Sequence, residues 1–326
     1  MSGIHGIGRV AGVLVGLTAA STATSAAESA AGAYILGFRG PAAGVTPPTG
    51  LFFSNQFYLY RGRIDGRIPF DGGVIAANAR VSASVAIPSF LLVTPVDLFG
   101  GRLGVSLTLP YGRVNVRGAI GPFRLSDGLT TFADPSVTAF LGWRHGNFHW
   151  QLGATGFAPM GDYRSGQLAN VAKNRGAVDL FGALSWIEPT LGIDVSNTLG
   201  VTLNRENRAT RYRTGTELHW EWSVAKTFGN GFSFGPAGYV YQQLSDDTGP
   251  GTVLGPFRGR VWAVGAGLGY QFQAGPVPVT ARLRYFHEVE TRRRLKGDAV
   301  FLSVAFPLWV PQAEARQDST QSQRRP

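Results

Sequence analysis

Glu217-Leu-His-Trp-Glu-Trp-Ser-Val224 reads polar, apolar, polar, apolar without a break. On an extended chain Leu218, Trp220, Trp222 and Val224 fall on one face, and Glu217, His219, Glu221 and Ser223 on the other. A helix would mix the two sets around its surface, so period two decides for a strand. The alternation recurs where Leu103, Val105, Leu107 and Leu109 are interleaved with Gly104, Ser106 and Thr108. It recurs again where Phe148, Trp150, Leu152 and Ala154 are interleaved with His149, Gln151, Gly153 and Thr155. A soluble sandwich also alternates. Bulky apolar faces set against polar ones, over segments of about ten residues, point instead to lipid on one side and water or packed polar groups on the other.

Working outward, the sequence offers twelve such segments, near residues 51–61, 77–96, 101–112, 134–145, 147–158, 177–188, 191–203, 215–227, 231–243, 259–273, 276–289 and 298–309. The connections between them alternate in length. Short ones fall at Gly100-Gly101, Gly146-Asn147, Pro189-Thr190, Gly229-Asn230-Gly231 and Gly275-Pro276, and longer polar ones fall between. Tight periplasmic turns in rotation with longer extracellular loops are the pattern of an up-and-down outer-membrane barrel. The predicted fold is therefore all-β, an antiparallel transmembrane β-barrel of twelve strands over residues 51–309, with both termini on the periplasmic side.

Composition agrees. Hydrophobic residues make up 44% of 326, yet beyond the N-terminus no apolar run approaches the length of a spanning helix. Only 15% of residues are charged, against about 25% in soluble domains. The 21 Phe, 10 Tyr, 7 Trp and 45 Gly suit an aromatic lipid face joined by turns. With no Cys, disulfides, thiol catalysis and cysteine metal sites are excluded. The formal charge of +10 comes mostly from scattered Arg, with one local cluster at Arg292, Arg293, Arg294 and Lys296. Scatter argues against nucleic acid, which selects clustered patches, and suits anionic lipid headgroups or a positive lumen.

Residues 1–27 read as a signal peptide: Arg9, then the apolar run Val10 to Ala20, then the small residues Ala23, Ser25, Ala26 and Ala27 before cleavage. The run is too short for an anchor helix. Residues 28–50 hold Pro41, Pro47, Pro48 and several glycines with no strand period, and are expected to enter the barrel from the periplasmic side as a lumen plug. Residues 310–326 form a polar tail of disordered composition. Before it, Val300, Leu302, Val304, Phe306 and Leu308 make the closing stripe that the barrel assembly machinery reads.

If the apolar stripes face lipid, the opposite parity faces the lumen. That places Tyr58, Tyr60, Phe140, Arg144, His149, Gln151, Asp179, Phe181, Asp194, Ser196, Glu217, His219, Glu221, Arg282, Arg284, Phe286 and Glu288 inside. Such a wall could guide a small amphipathic solute past an Arg ladder facing acids and aromatic steps. Equally, Arg–carboxylate pairs could simply hold a closed barrel together, since buried charges must be paired. His219, between Glu217 and Glu221, could be oriented as the base of a Ser–His pair, but no local motif accompanies it, and no catalytic residue is assigned. Asp246-Asp247 could offer oxygens to calcium but reads more simply as a solvated acidic step; no metal or cofactor is assigned.

Three motifs add a resemblance. They are Asn207-Arg-Ala-Thr210-Arg-Tyr212-Arg-Thr-Gly215, then Tyr241-Gln-Gln243-Leu-Ser-Asp246-Asp247-Thr-Gly249, and the early Ala43 to Phe53. In that order, over about Tyr34 to Leu308, the chain resembles the transporter family called "putative MetA-pathway of phenol degradation". It departs at Ser245, where Thr is usual, and in its polar tail. The resemblance implies an outer-membrane barrel akin to hydrocarbon channels, taking up small hydrophobic or aromatic solutes. The alternatives left open are a structural, lipid-contacting barrel with a closed lumen and an outer-membrane lipid hydrolase.

Overall fold

The first strand pairs on one side with the second and on the other with the last, so the sheet closes on itself. The computed structural model describes residues 28–70 and 73–311; the signal peptide at 1–27 and the tail from 312 lie outside the described residues. In chain order the strands are β1 (Gly50–Pro69), β2 (Ile75–Leu98), β3 (Gly101–Thr108), β4 (Tyr111–Ile120), β5 (Phe123–Phe132), β6 (Ser136–His145) and β7 (Phe148–Phe157). Then follow β8 (Ala177–Glu188), β9 (Ile193–Asn204), β10 (Glu217–Thr227), β11 (Phe232–Gln243), β12 (Arg260–Ala274), β13 (Val277–Arg292) and β14 (Lys296–Trp309). All the pairings are antiparallel.

Fourteen segments make twelve positions in the wall. β3 and β4 pair end to end with the same edge of β2, and β5 and β6 lie end to end beyond them. Pro110 interrupts the first of these long staves and Asp134-Pro135 the second, because proline cannot donate to a ladder. The closed barrel thus has the twelve strands that the alternation predicts. Residues 113–133, expected as a polar connection, are instead largely the β4–β5 hairpin. It extends the wall on the long-loop side, in company with the long β1 and β2.

Leu59, Leu152, Leu199 and Leu302 are each about half exposed, while Glu217, His219, Glu221 and Ser223 are buried. Apolar groups outward and polar groups inward invert a soluble core and mark the outer face as the lipid face. At the short-turn end, Trp143 stacks with Trp150, Phe228 with Phe232 and Tyr270 with Phe272, forming part of an aromatic girdle.

The position of residues 28–49 corrects the expected topology. Gly50 opens β1 at the short-turn end, opposite Val93. Glu28, however, lies 3.5 Å from Arg175 and accepts hydrogen bonds from Asn207 Nδ2, both on long loops at the other end. The first described residue therefore sits at the long-loop end, not beside the last strand. Twenty-two extended residues can reach about 70 Å, ample for crossing a barrel.

Candidate functional site

The crossing segment is held through its backbone. The N–H groups of Gly37 and Arg39 donate to the two oxygens of Glu221, at 2.7 and 2.8 Å. Ala42 N–H donates to Ser196 Oγ and Gly44 N–H to Ser185 Oγ, at 3.0 and 2.9 Å. Gln151 Nε2 donates to the Val45 carbonyl at 2.9 Å. Arg284 does most: its guanidinium donates to the carbonyls of Gly37, Phe38 and Arg39 and to Gln56 Oε1, at 2.6–3.0 Å. An irregular segment in a closed space cannot satisfy its own N–H and C=O groups, so the wall must do so. The polar inward faces of β7–β10 and β13 do that work.

Sequence makes this fit possible at two glycines. Gly37 has φ +81°, which a side chain rarely adopts, and packs between Phe286 and Phe301. A Cβ on Gly44 would lie 2.4 Å from the His149 carbonyl and 2.7 Å from Ser185 N, so only glycine lets the segment lie this close to the wall.

On the opposite half of the lumen the segment leaves a cavity of about 270 Å³. Its wall is Val81, Ala83, Val85 and Ile87 of β2 and Val114 and Val116 of β4, with the hydroxyls of Thr108, Ser136, Thr138 and Thr155 beside them. Tyr58, Tyr60, Tyr239, Glu288 and Arg294 line its other flank. There Glu288 accepts hydrogen bonds from Tyr60, Tyr239 and Gly297 N–H at 2.9, 3.0 and 2.7 Å. Arg39, also on the cavity, stacks 3.7 Å over the Phe181 ring, with the buried Phe140 nearby on β6. Above, residues Leu168, Asn170, Val171 and Lys173 of the β7–β8 loop close over it. That loop is tied down where Asp134 accepts from the N–H groups of Gly161, Lys173 and Asn174.

The expected lumen residues do not share one place. Tyr58, Tyr60 and the flank with Glu288 reach the cavity, Phe181 and Phe286 pack against Arg39 and Gly37 of the segment, and Phe140 is buried on β6. Glu217, His219, Glu221 and Arg284 form the clasp. His219 Nε2 lies 2.9 Å from Asp179 and stacks on Tyr34 at 3.8 Å. Its partner is thus a carboxylate on β8 rather than Glu217 or Glu221. Glu217 accepts from Tyr241 and Asn204 at 2.7 and 2.8 Å, with Arg294 at 3.7 Å. Arg282 lines a small recess with Pro41. Arg144 is exposed, and with the half-buried His149 it sits near the short turn at Gly146, away from the cavity. Instead of an ion pair with a facing acid, Arg284 makes its hydrogen bonds to the backbone carbonyls of the segment and to Gln56.

The aliphatic lining went unread. Val81, Ala83, Val85 and Ile87 alternate with Ser82, Ser84 and Ala86, but here the larger apolar set faces inward. The rule that apolar means lipid fails where the lumen itself is apolar. The Ser and Arg residues on the other parity of β2 and β4 were the available signal.

The motif residues meet in one knot at the long-loop end. Asp247, expected as a solvated acid, is buried; it accepts from Tyr212 Oη, Gln243 Nε2 and Gly215 N–H at 2.6, 2.6 and 3.0 Å. Gly249 (φ +97°) packs against the Arg211 carbonyl, and Thr210 reaches the Asn207 carbonyl at 3.5 Å. Asn207 in turn holds Glu28. Asp246 instead pairs with Arg258 in solvent, at 2.8 Å. Among the described residues no cluster of three metal-ligating side chains occurs.

A closed wall with a lipid-facing exterior, crossed inside by its own N-terminal segment, defines a membrane-spanning β-barrel of the outer-membrane type. The chain belongs to the family described as "Putative MetA-pathway of phenol degradation", whose model matches residues 67–304. Among solved structures it is similar to the COG4313 outer membrane channel from Pseudomonas putida F1, at 17% identity and TM-score 0.66, covering 81% of this chain and 98% of that one. It also matches the β domain of the Bordetella autotransporter BrkA, at 13% identity and TM-score 0.42, covering 80% and 100%. The vanillate complex of OpdK from Pseudomonas aeruginosa matches at 12% and 0.33, covering 79% and 98%. A comparison with curated proteins finds no match.

Proposed function

We propose that the chain is an outer-membrane channel for passive uptake of small hydrophobic or aromatic compounds, with residues 28–49 acting as a lumen plug. One observation carries this reading: a cavity of about 270 Å³, lined on one side by aliphatic groups and on the other by tyrosines, beside a segment held by hydrogen bonds. An apolar cavity of about 150 Å³ already holds benzene, so this one has room for a single substituted ring. The family description and the similarity to the COG4313 outer membrane channel support the same reading. In this reading the signal peptide directs export, the barrel assembly machinery receives β14, and lipid surrounds the outer face. The long loops face outward, and the short turns and polar tail face the periplasm. Arg39 on Phe181 forms the periplasmic floor of the cavity. The lumen performs no chemistry, has no cofactor and leaves nucleic acid unbound.

The clasp favours a second reading, a closed structural barrel. Uptake of phenol-type solutes against aliphatic solutes of equal size, measured in proteoliposomes, separates the two. Aromatic flux that rises when residues 32–49 are deleted is the expected result. No flux before or after that deletion would overturn the channel reading. Esterase activity on lipid substrates, lost in His219→Ala, would favour a hydrolase instead.

A further inference from the structure

The strand registers place four cations side by side on the outside of the wall. Lys296 of β14 lies directly opposite Arg63 of β1, Arg63 opposite Arg80 of β2, and Arg80 opposite Arg117 of β4. All four are exposed and share the parity of the lipid-facing residues on their strands. Four adjacent strands about 4.8 Å apart make a row about 15 Å long. Arg61 stands one outward step nearer the apolar band, and Arg113 two steps nearer, level with Leu59 and Val300 where the band begins.

Like charges directly opposite one another across a sheet destabilise the pairing. Here three such pairs run consecutively. Among the described residues no carboxylate pairs with any of the four. Asp298, one step along β14 from Lys296, is engaged by Tyr285 and His287 at 2.6 and 2.8 Å, and Asp65 lies beyond Arg63 on the loop side. A second basic cluster on β11–β13 is built differently. There Arg260 faces Arg292, but Glu290 lies 2.5 Å from Arg260, and Asp246 neutralises Arg258. One cluster is compensated by the chain, the other is not.

We propose that the row Lys296–Arg63–Arg80–Arg117 is a binding site for the phosphate groups of a phosphorylated glycolipid of the outer leaflet. The row is on the membrane side of the wall, just beyond the apolar band, where headgroups meet acyl chains. Guanidinium groups pair bidentately with phosphate, and a doubly phosphorylated headgroup spans several cations at once. Lipid neutralisation removes the repulsion that the β14–β1–β2–β4 register would otherwise carry. The site rests on the membrane orientation proposed above but not on transport.

The test uses the full-length protein in detergent micelles with bisphosphorylated lipid A as the probe, read by native mass spectrometry. The variant Lys296→Gln/Arg63→Gln/Arg80→Gln/Arg117→Gln removes the row, and Arg258→Gln/Arg260→Gln/Arg292→Gln serves as the control. Heat-modifiable migration confirms that each barrel is folded. Expected are at least about tenfold weaker lipid A binding in the row variant, unchanged binding in the control, and unchanged solute flux in both. Dephosphorylated lipid A is expected to bind wild type as weakly as lipid A binds the row variant. Equal binding by wild type and the row variant would overturn the site. Complete competition by inorganic phosphate would also overturn it, since the occupant would then be a free anion.

Discussion

The two halves of the lumen wall share one strand pattern and do opposite things. From β7 to β14 the inward set is rich in acids, hydroxyls and amides, and Gln151, Ser185, Ser196, Glu221 and Arg284 bond to the backbone of the crossing segment. From β1 to β5 the cavity lining is largely aliphatic apart from the β1 tyrosines, and offers that backbone only the long bond from Arg102 to the Pro47 carbonyl, at 3.4 Å. The segment therefore lies against the polar half, and the unfilled volume is left against the apolar half. An unsatisfied buried N–H or C=O group costs about 1–3 kcal/mol, and the polar half satisfies eight of them on the segment, which together outweigh the void left on the other side. Polarity of the wall, not space, decides where the plug goes.

The largest way to break that asymmetry is Arg284→Met. It orphans three carbonyls at once. Even a net loss of about 3 kcal/mol from the clasp raises the open population about a hundredfold. The expected outcome in planar bilayers is frequent long openings where wild type is mostly closed, with the barrel still migrating as folded on a gel. Unchanged gating would mean that the segment is held by its ends alone.

Val85→Trp attacks the other half. The indole fills the cavity without touching the clasp, so aromatic flux in proteoliposomes should fall about tenfold while the thermal midpoint barely moves. If flux persists, the solute path does not run along β2. Arg39→Ala acts where the halves meet. A desolvated cation–π contact is worth about 1 kcal/mol, so removing it from Phe181 should raise flux by about fivefold. A flux equal to that of wild type would remove Arg39 from the floor of the path.

How much of this was legible follows the same division. Period two in residues 217–224 gave the strand, its lipid face and its lumen face, and the rotation of short and long connections gave the closed barrel and its twelve positions. Parity alone points Tyr58, Tyr60, Glu221 and Arg284 inward, and Tyr60, Glu221 and Arg284 are buried. Parity could not say what they would touch, because Arg284 and Glu221 meet backbone groups of a segment with no period of its own. Nor could it find Val81 or Val116, whose apolar side faces the lumen above the lipid band. Asp247 looked solvated because its buried partners, Tyr212 and Gln243, come from two separate segments. Position along a strand is written locally; what fills the middle of a barrel is not.

The smallest effect is the most specific. Tyr212→Phe removes one hydroxyl, the donor to Asp247 in the knot that orders the loop holding Asn207 and hence Glu28. One buried bond lost with its acceptor left in place costs about 1–3 kcal/mol, read as faster cleavage of the β9–β10 loop by an added protease. Burial first, and the Asp247 carboxylate second, push the Tyr212 phenol well above its ordinary range. A group whose pKa rises on folding contributes its full stability below the unfolded value, near 10, and loses it as pH climbs past that value. The gap in protease resistance between wild type and Tyr212→Phe should therefore be constant from neutral pH up to about 10 and narrow above it. A gap that narrows on acidification instead would place the titrating partner at Asp247, and the knot would then be held by the carboxylate's charge rather than by the phenol's proton.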